Sequence, residues 1–339
     1  MLGQLLGGNA ASVSESAAEQ GVQLVTEYAD LKVPVINIIM EGLTLILFIA
    51  ALVVAAVWIF NHVRNFALPF VCGIVFYLVF VYVLVQLVVL GLNFLLSKNE
   101  ALTAHVTLLE NLVQVLSMLC GVASMVLGML YWRRSSRKNG SEMTLGGAIA
   151  FGAAFYAGIL LTSGNLSRIF QMITTSRAVN ADGFDAVLTA MVEIQGDQQG
   201  ATEALLALCS DKTIDFVNLP LNALIVILEG VTYTAASVIF FAALTDRVDR
   251  KYMIASIAAH LLVFAPSVLL FFTEDTYPLF YIRIAYTALV ALASVLLAVY
   301  LSKTYMADEV HALAYTRKKQ KQEEEAKKNK IPHIVMPKD

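Results

Sequence analysis

Charge is scarce in this chain. Of its 339 residues only 14% are charged, and 58% are hydrophobic. A soluble domain carries about 25% charged residues and about 45–50% apolar ones. A water-facing fold of this size has no place for such an apolar surplus, and lipid does. Cysteine is equally sparse. Cys72, Cys120 and Cys209 are too few and too scattered for a disulfide framework or a zinc knuckle. Cys72 and Cys120 sit inside apolar runs, where cysteine behaves as a small hydrophobe. The first thirty residues lack a basic segment followed by an apolar one, so no cleavable signal peptide is expected. No phosphate-cradling glycine loop is present, because the glycines near 146–158 lack a strand–turn–helix context. Neither nucleotide nor nucleic-acid binding is expected, and no cofactor.

What the chain has is long apolar runs. They span about 35–60, 66–96, 106–132, 144–164, 214–245, 252–272 and 277–301. A helix rising 1.5 Å per residue needs about 20 residues to cross about 30 Å of hydrocarbon. Barrel strands are shorter and alternate apolar with polar positions. Backbone groups at membrane depth must be satisfied internally, as a helix does. The expected fold is therefore all-α, a polytopic bundle of about seven transmembrane helices.

The domains follow from these runs. Residues 1–32 form an amphipathic extracellular segment, with Val13, Ala17, Leu24, Val25 and Tyr28 roughly at helical spacing. Residues 33–302 form the transmembrane domain, with an extracellular loop at 165–213 carrying amphipathic pieces near 184–194 and 202–209. Residues 303–339 form a charged cytoplasmic tail, with Arg317-Lys318-Lys319 before Glu323-Glu324-Glu325.

Lysine and arginine placement sets the orientation. With the N-terminus outside, the inner segments hold Arg64, then Arg133, Arg134, Arg137 and Lys138, then Arg247, Arg250 and Lys251, and nine more after 302. These are seventeen of the twenty-three basic residues. The outer segments hold five, namely Lys32, Lys98, Arg168, Arg177 and Lys212. The expectation is a multi-pass protein of the cell membrane whose partners are the bilayer and a membrane-protein partner or substrate helix.

Ionisable groups inside spans are costly and face a partner or a cavity. Here they are Glu41, Glu110, Asp215, Glu229, His260 and Arg283. Glu41, Glu110, Asp215 and Arg283 fall near outer helix ends. With Asn37, Asn165 and Asn218 they form either an outward polar pocket or a set of side chains reaching the interface. Asp215 or Glu41 is the expected counter-charge of Arg283. Glu229 lies near the middle of the fifth span, and His260 about two turns into the sixth. No second histidine falls within a span, so a metal site is not expected.

One resemblance attaches to Ile227-Leu-Glu-Gly-Val231, the run from Ala236 to Leu244, a basic turn, and the stretch from Ile257 to Pro266. Over about residues 110–301 the chain resembles the YhfC family of intramembrane proteases, related to the PrsW and CPBP-type peptidases. The resemblance puts His260 on the family histidine and Glu229 on its helix-opening glutamate, with Gly230 where an arginine is expected. Ala123 and Ser124 stand where that family pairs two glutamates. Phe155 and Ile159 stand where it has a His-x-x-x-Glu motif, and no histidine occurs near Ser237.

Intramembrane proteolysis needs a group that activates water and one that stabilises an oxyanion. The implied function is thus a degenerate, non-catalytic relative that binds membrane segments or amphiphiles, or serves as a subunit of a membrane complex. A transporter or channel component built on the outward pocket is an alternative. So is an active peptidase whose catalytic candidates are His260 and Glu229.

Overall fold

The computed structural model of the protein describes residues 30–98, 105–162, 164–210, 213–266 and 277–315, with positions 28, 319 and 322 besides. In chain order the helices are α1 (Val35–His62), α2 (Ala67–Tyr77), α3 (Leu84–Leu96), α4 (Val106–Lys138), α5 (Leu145–Thr162) and α6 (Asn165–Asp182). They continue as α7 (Phe184–Gln195), α8 (Gln198–Cys209), α9 (Thr213–Leu244), α10 (Lys251–Leu262), α11 (Tyr277–Tyr305) and α12 (Ala307–Leu313). A π-helical turn, Leu78–Val83, joins α2 to α3 without a break. No strand occurs among the described residues.

Six helices are long and apolar enough to cross a membrane: Val35–His62, Ala67–Leu96, Asn111–Lys138, Leu145–Thr162, Asn218–Leu244 and Pro278–Tyr305. The chain is a multi-pass, all-α membrane protein. The apolar run at 252–272 begins as α10, which has 12 residues, and its residues 267–272 lie outside the described residues. The expected N-terminal surface helix and the charged clusters after 315 also fall outside them, Lys319 apart.

The chain divides into two compact units. Unit 1 holds residues 1–51, 89–110 and 160–227; unit 2 holds 52–88, 111–159 and 228–339. The polar stretch 165–213, expected as a loop with two amphipathic pieces, is three consecutive helices in unit 1. Its pieces near 184–194 and 202–209 are α7 and α8. The helix missing from the expectation is α6. Its serines, threonines and asparagines hide an apolar face of Ile169, Met172 and Val179 at helical spacing.

The turn between α7 and α8 is written in two residues. Gly196 takes φ +70, a left-handed conformation that glycine adopts freely. Asp197 then caps α8, its carboxylate accepting from the Gly200 N–H at 3.0 Å. Val33, Val179, Phe184, Leu205, Leu208 and Phe216 close a core beneath these helices. Cys209 belongs to that core, and burial pushes its thiol above the ordinary cysteine range.

Unit 2 packs around Met125, Met129, Trp132, Phe151, Phe241 and Leu301. Two spans are its inner members: 67% of the α5 window and 61% of the α9 window are buried, against 17% for α1. Small residues make that burial possible, because they let helix backbones approach. Ala148, Ala150 and Ala154 are fully covered. A Cβ added to Gly152 would lie 2.6 Å from Thr234 Cα of α9, a backbone atom that cannot yield. On α11, Leu289, Leu292 and Leu296 form an exposed apolar stripe at helical spacing, the surface lipid covers.

The basic helix ends are tied together. Arg133 donates to Asp246 at 3.2 Å, and Arg250 reaches the same carboxylate at 3.6 Å. Glu309 of α12 pairs with Arg247 and accepts from the Leu145 N–H at the start of α5.

The α5–α9 contact sets an expectation for thermal unfolding in nanodiscs. Gly152→Leu should destabilise the protein by about 3 kcal/mol through overpacking. Gly42→Ala in α1, where nothing lies within 4 Å of the new methyl, should be neutral or slightly stabilising. Equal effects of the two substitutions would contradict the close contact.

Candidate functional site

The polar groups of unit 2 that sequence singles out sit on three helices: Glu229 on α9, His260 on α10 and Arg283 on α11. His260 is 1% exposed, and among the described residues neither ring nitrogen has a hydrogen-bond partner. Rings enclose it instead. The Tyr233 centroid is 4.6 Å away, Phe155 5.5 Å and Phe264 6.3 Å. The backbone of α4 closes another side, since a Cβ built on Gly121 would lie 3.3 Å from Nε2. Tyr77, the last residue before the π-helical turn, packs edge-on against Phe155 at 5.1 Å. Val263, Val290 and Ile159 complete the same cluster.

Glu229 is differently held. Arg283 is its partner at 3.9 Å, and the two side chains are 17% and 28% exposed. The expected counter-charge of Arg283 is Asp215 or Glu41; its long side chain reaches Glu229, a carboxylate deeper in the span, and the Asp215 side chain lies outside the described residues. Tyr233 follows Glu229 by one helical turn on α9, so the carboxylate and the ring above His260 share a face. The Tyr156 ring lies against Gly230, where an added Cβ would meet it at 2.5 Å. Its hydroxyl, like those of Ser124 and Thr287, is buried without a partner among the described residues.

The outer polar set is not all in one unit. Glu41 belongs to unit 1, where Ser176 Oγ donates to it at 2.9 Å; Arg283 belongs to unit 2. Glu110 and Asp215 fall on α4 and α9, but their side chains lie outside the described residues. Asn37 donates through Nδ2 to the carbonyls of Leu208 and Ser210, both at 3.1 Å.

Two features of unit 2 lie outside the sequence expectation. Tyr233 and Phe264 were legible, because each stands four residues after a flagged polar residue and therefore on its face. A cavity of about 660 Å³ at the basic helix ends was not legible. Its lining includes the apolar side chains of Leu68, Trp132 and Leu313 and the polar ones of His62, Thr144 and Glu309. Its walls come from segments far apart in the chain.

Chemically, a buried imidazole offers one donor and one acceptor, and leaving either unmet costs about 1–3 kcal/mol. A general base must reach its proton within hydrogen-bond distance or through one water. His260 faces carbon on the sides described, and Glu229 is engaged by a guanidinium. Among the described residues, no three His, Cys, Asp or Glu side chains stand close enough to share a metal ion. Comparison of the chain with protein-family models, curated proteins and solved structures finds no match.

The Glu229–Arg283 pair carries a thermodynamic expectation. Arg283→Met should destabilise by about 2 kcal/mol, because it leaves a largely buried carboxylate alone. Combining it with Glu229→Met should recover most of that loss. Thermal unfolding of both singles and the double closes the cycle. Additive losses would mean that the two groups do not depend on each other.

Proposed function

We propose that the protein is a seven-span cell-membrane protein, N-terminus outside, whose unit 2 is a protease-like core that binds membrane segments or amphiphiles without cleaving them. The observation that carries this reading is the surroundings of His260. Phe155 and Ile159, which alignment with the YhfC-like peptidases puts at a His-x-x-x-Glu motif, lie in the same cluster of rings that covers the histidine. Positions aligned without reference to geometry thus converge on one place. The residues there are apolar, which supports a reading in which the core is kept without the acid–base set. Glu229, the family's helix-opening carboxylate in that alignment, is neutralised by Arg283.

The seventh span in this reading is the run 252–272. Its inclusion puts the basic ends 133–143 and 246–251 and the tail on one side, as the distribution of lysine and arginine favours. The cavity of about 660 Å³ then opens at the cytoplasmic interface. Its size is that of a small-molecule site, and its mixed apolar and polar lining suits an amphiphile.

One experiment on sealed, right-side-out vesicles tests orientation and activity together. Protease added outside should leave a C-terminal epitope intact, and a co-reconstituted reporter with a cleavable membrane helix should stay uncut. Cleavage that disappears in His260→Ala would establish an active peptidase instead. Loss of the epitope would reverse the orientation.

A further inference from the structure

Unit 1 holds a second set of buried polar groups, independent of the core around His260. Glu41 is fully buried, 0% exposed, seven residues into α1. Ser176 of α6 donates to its Oε1, and Oε2 has no partner. One turn earlier on the same helix face, Asn37 is also 0% exposed. Its Nδ2 is spent on the carbonyls of Leu208 and Ser210, so its Oδ1 points elsewhere and is again unpartnered. The amide orientation is fixed by those two carbonyls, since the opposite flip would set oxygen against oxygen. Among the described residues, two buried acceptor oxygens one turn apart therefore lack a donor, and one of them belongs to a carboxyl group.

No lysine or arginine among the described residues makes an ion pair with Glu41. The basic residues of adjoining turns, Lys32 and Arg177, are exposed. A buried carboxylate stays ionised only where a cation meets it, and otherwise holds a proton. The local frame is built to hold that geometry. Asn180, one turn after Ser176, accepts from the Val33 N–H at 2.8 Å and donates to the Val33 carbonyl at 3.0 Å. The start of α1 is thus clamped to α6 on one side and to the end of α8 on the other.

We propose that Glu41 Oε2 and Asn37 Oδ1 are ligands of a bound monovalent metal cation, probed most simply as Na⁺, that locks the start of α1 beneath α6 and α8. Oxygen-only ligation is what hard cations take, with water completing the shell. A single carboxylate selects the charge. A monovalent ion leaves the site neutral, whereas a divalent ion would bury a net positive charge.

The test uses the full chain in nanodiscs at constant ionic strength. Replacing choline chloride by NaCl should raise Tm saturably, by about 5 °C at a hundredfold excess over Kd. Glu41→Gln keeps an acceptor for Ser176 and brings an N–H donor of its own, so it should fold and lose the response to Na⁺. Direct binding of radioactive Na⁺ to the wild type should reach one ion per chain and be displaced by unlabelled Na⁺ but not by choline. That readout needs no variant. Equal Tm in choline and Na⁺ with no bound label would overturn the proposal, and stabilisation by acidification alone would then assign the positive charge to a proton. A response to Ca²⁺ and not to Na⁺ would overturn the monovalent assignment, and an undiminished Na⁺ response in Glu41→Gln would overturn the ligand set.

Discussion

Hydrocarbon offers no hydrogen bonds, and every other feature of this protein is arranged around that fact. Backbone groups are satisfied by making the spans helical, and the cost of bringing those helices together falls on side chains. Small residues meet it in unit 2, where α5 presents alanines and Gly152 to α9 and lets backbone lie on backbone. With contact that close, few polar atoms fit between helices, and each one that remains needs a specific partner or a specific occupant.

The buried polar groups divide along that line. Glu229 finds Arg283 across two helices of unit 2, and Glu41 finds Ser176 in unit 1. His260 finds only rings, and Asn37 keeps one oxygen unspent. An aromatic lining of this kind excludes water as well as filling space. Within that lining His260 is a packing element with unspent hydrogen-bonding capacity.

Much of the architecture is legible in the residues because hydropathy and length act locally. The runs at 35–60 and 277–301 read directly as α1 and α11, and the amphipathic pieces near 184–194 and 202–209 as α7 and α8. The helix α6 was hidden because its polar face dominates its composition, and its apolar face has meaning only against the core of Val33, Phe184 and Leu205. Site residues were flagged by their cost: a glutamate or histidine within an apolar run is visible without a fold. Partners were not, because pairing depends on which helices become neighbours. Arg283 with Glu229 joins α11 to α9, and the ring enclosure of His260 draws on α5, α9 and the turn after α10. The π-helical turn at Leu78–Val83 has no mark in its sequence, LVFVYV, that separates it from the α-helix on either side.

The central claim is that His260 is sealed from water inside unit 2. Water-edited solid-state NMR on protein labelled with ¹⁵N-histidine in lipid bilayers measures this directly. Transfer of magnetisation from water should reach the rings of His62 and His311, at the basic helix ends, and fail to reach His260 over the same mixing time. Rapid transfer to the His260 ring would contradict the account, because it would place water where a hydrolase needs it.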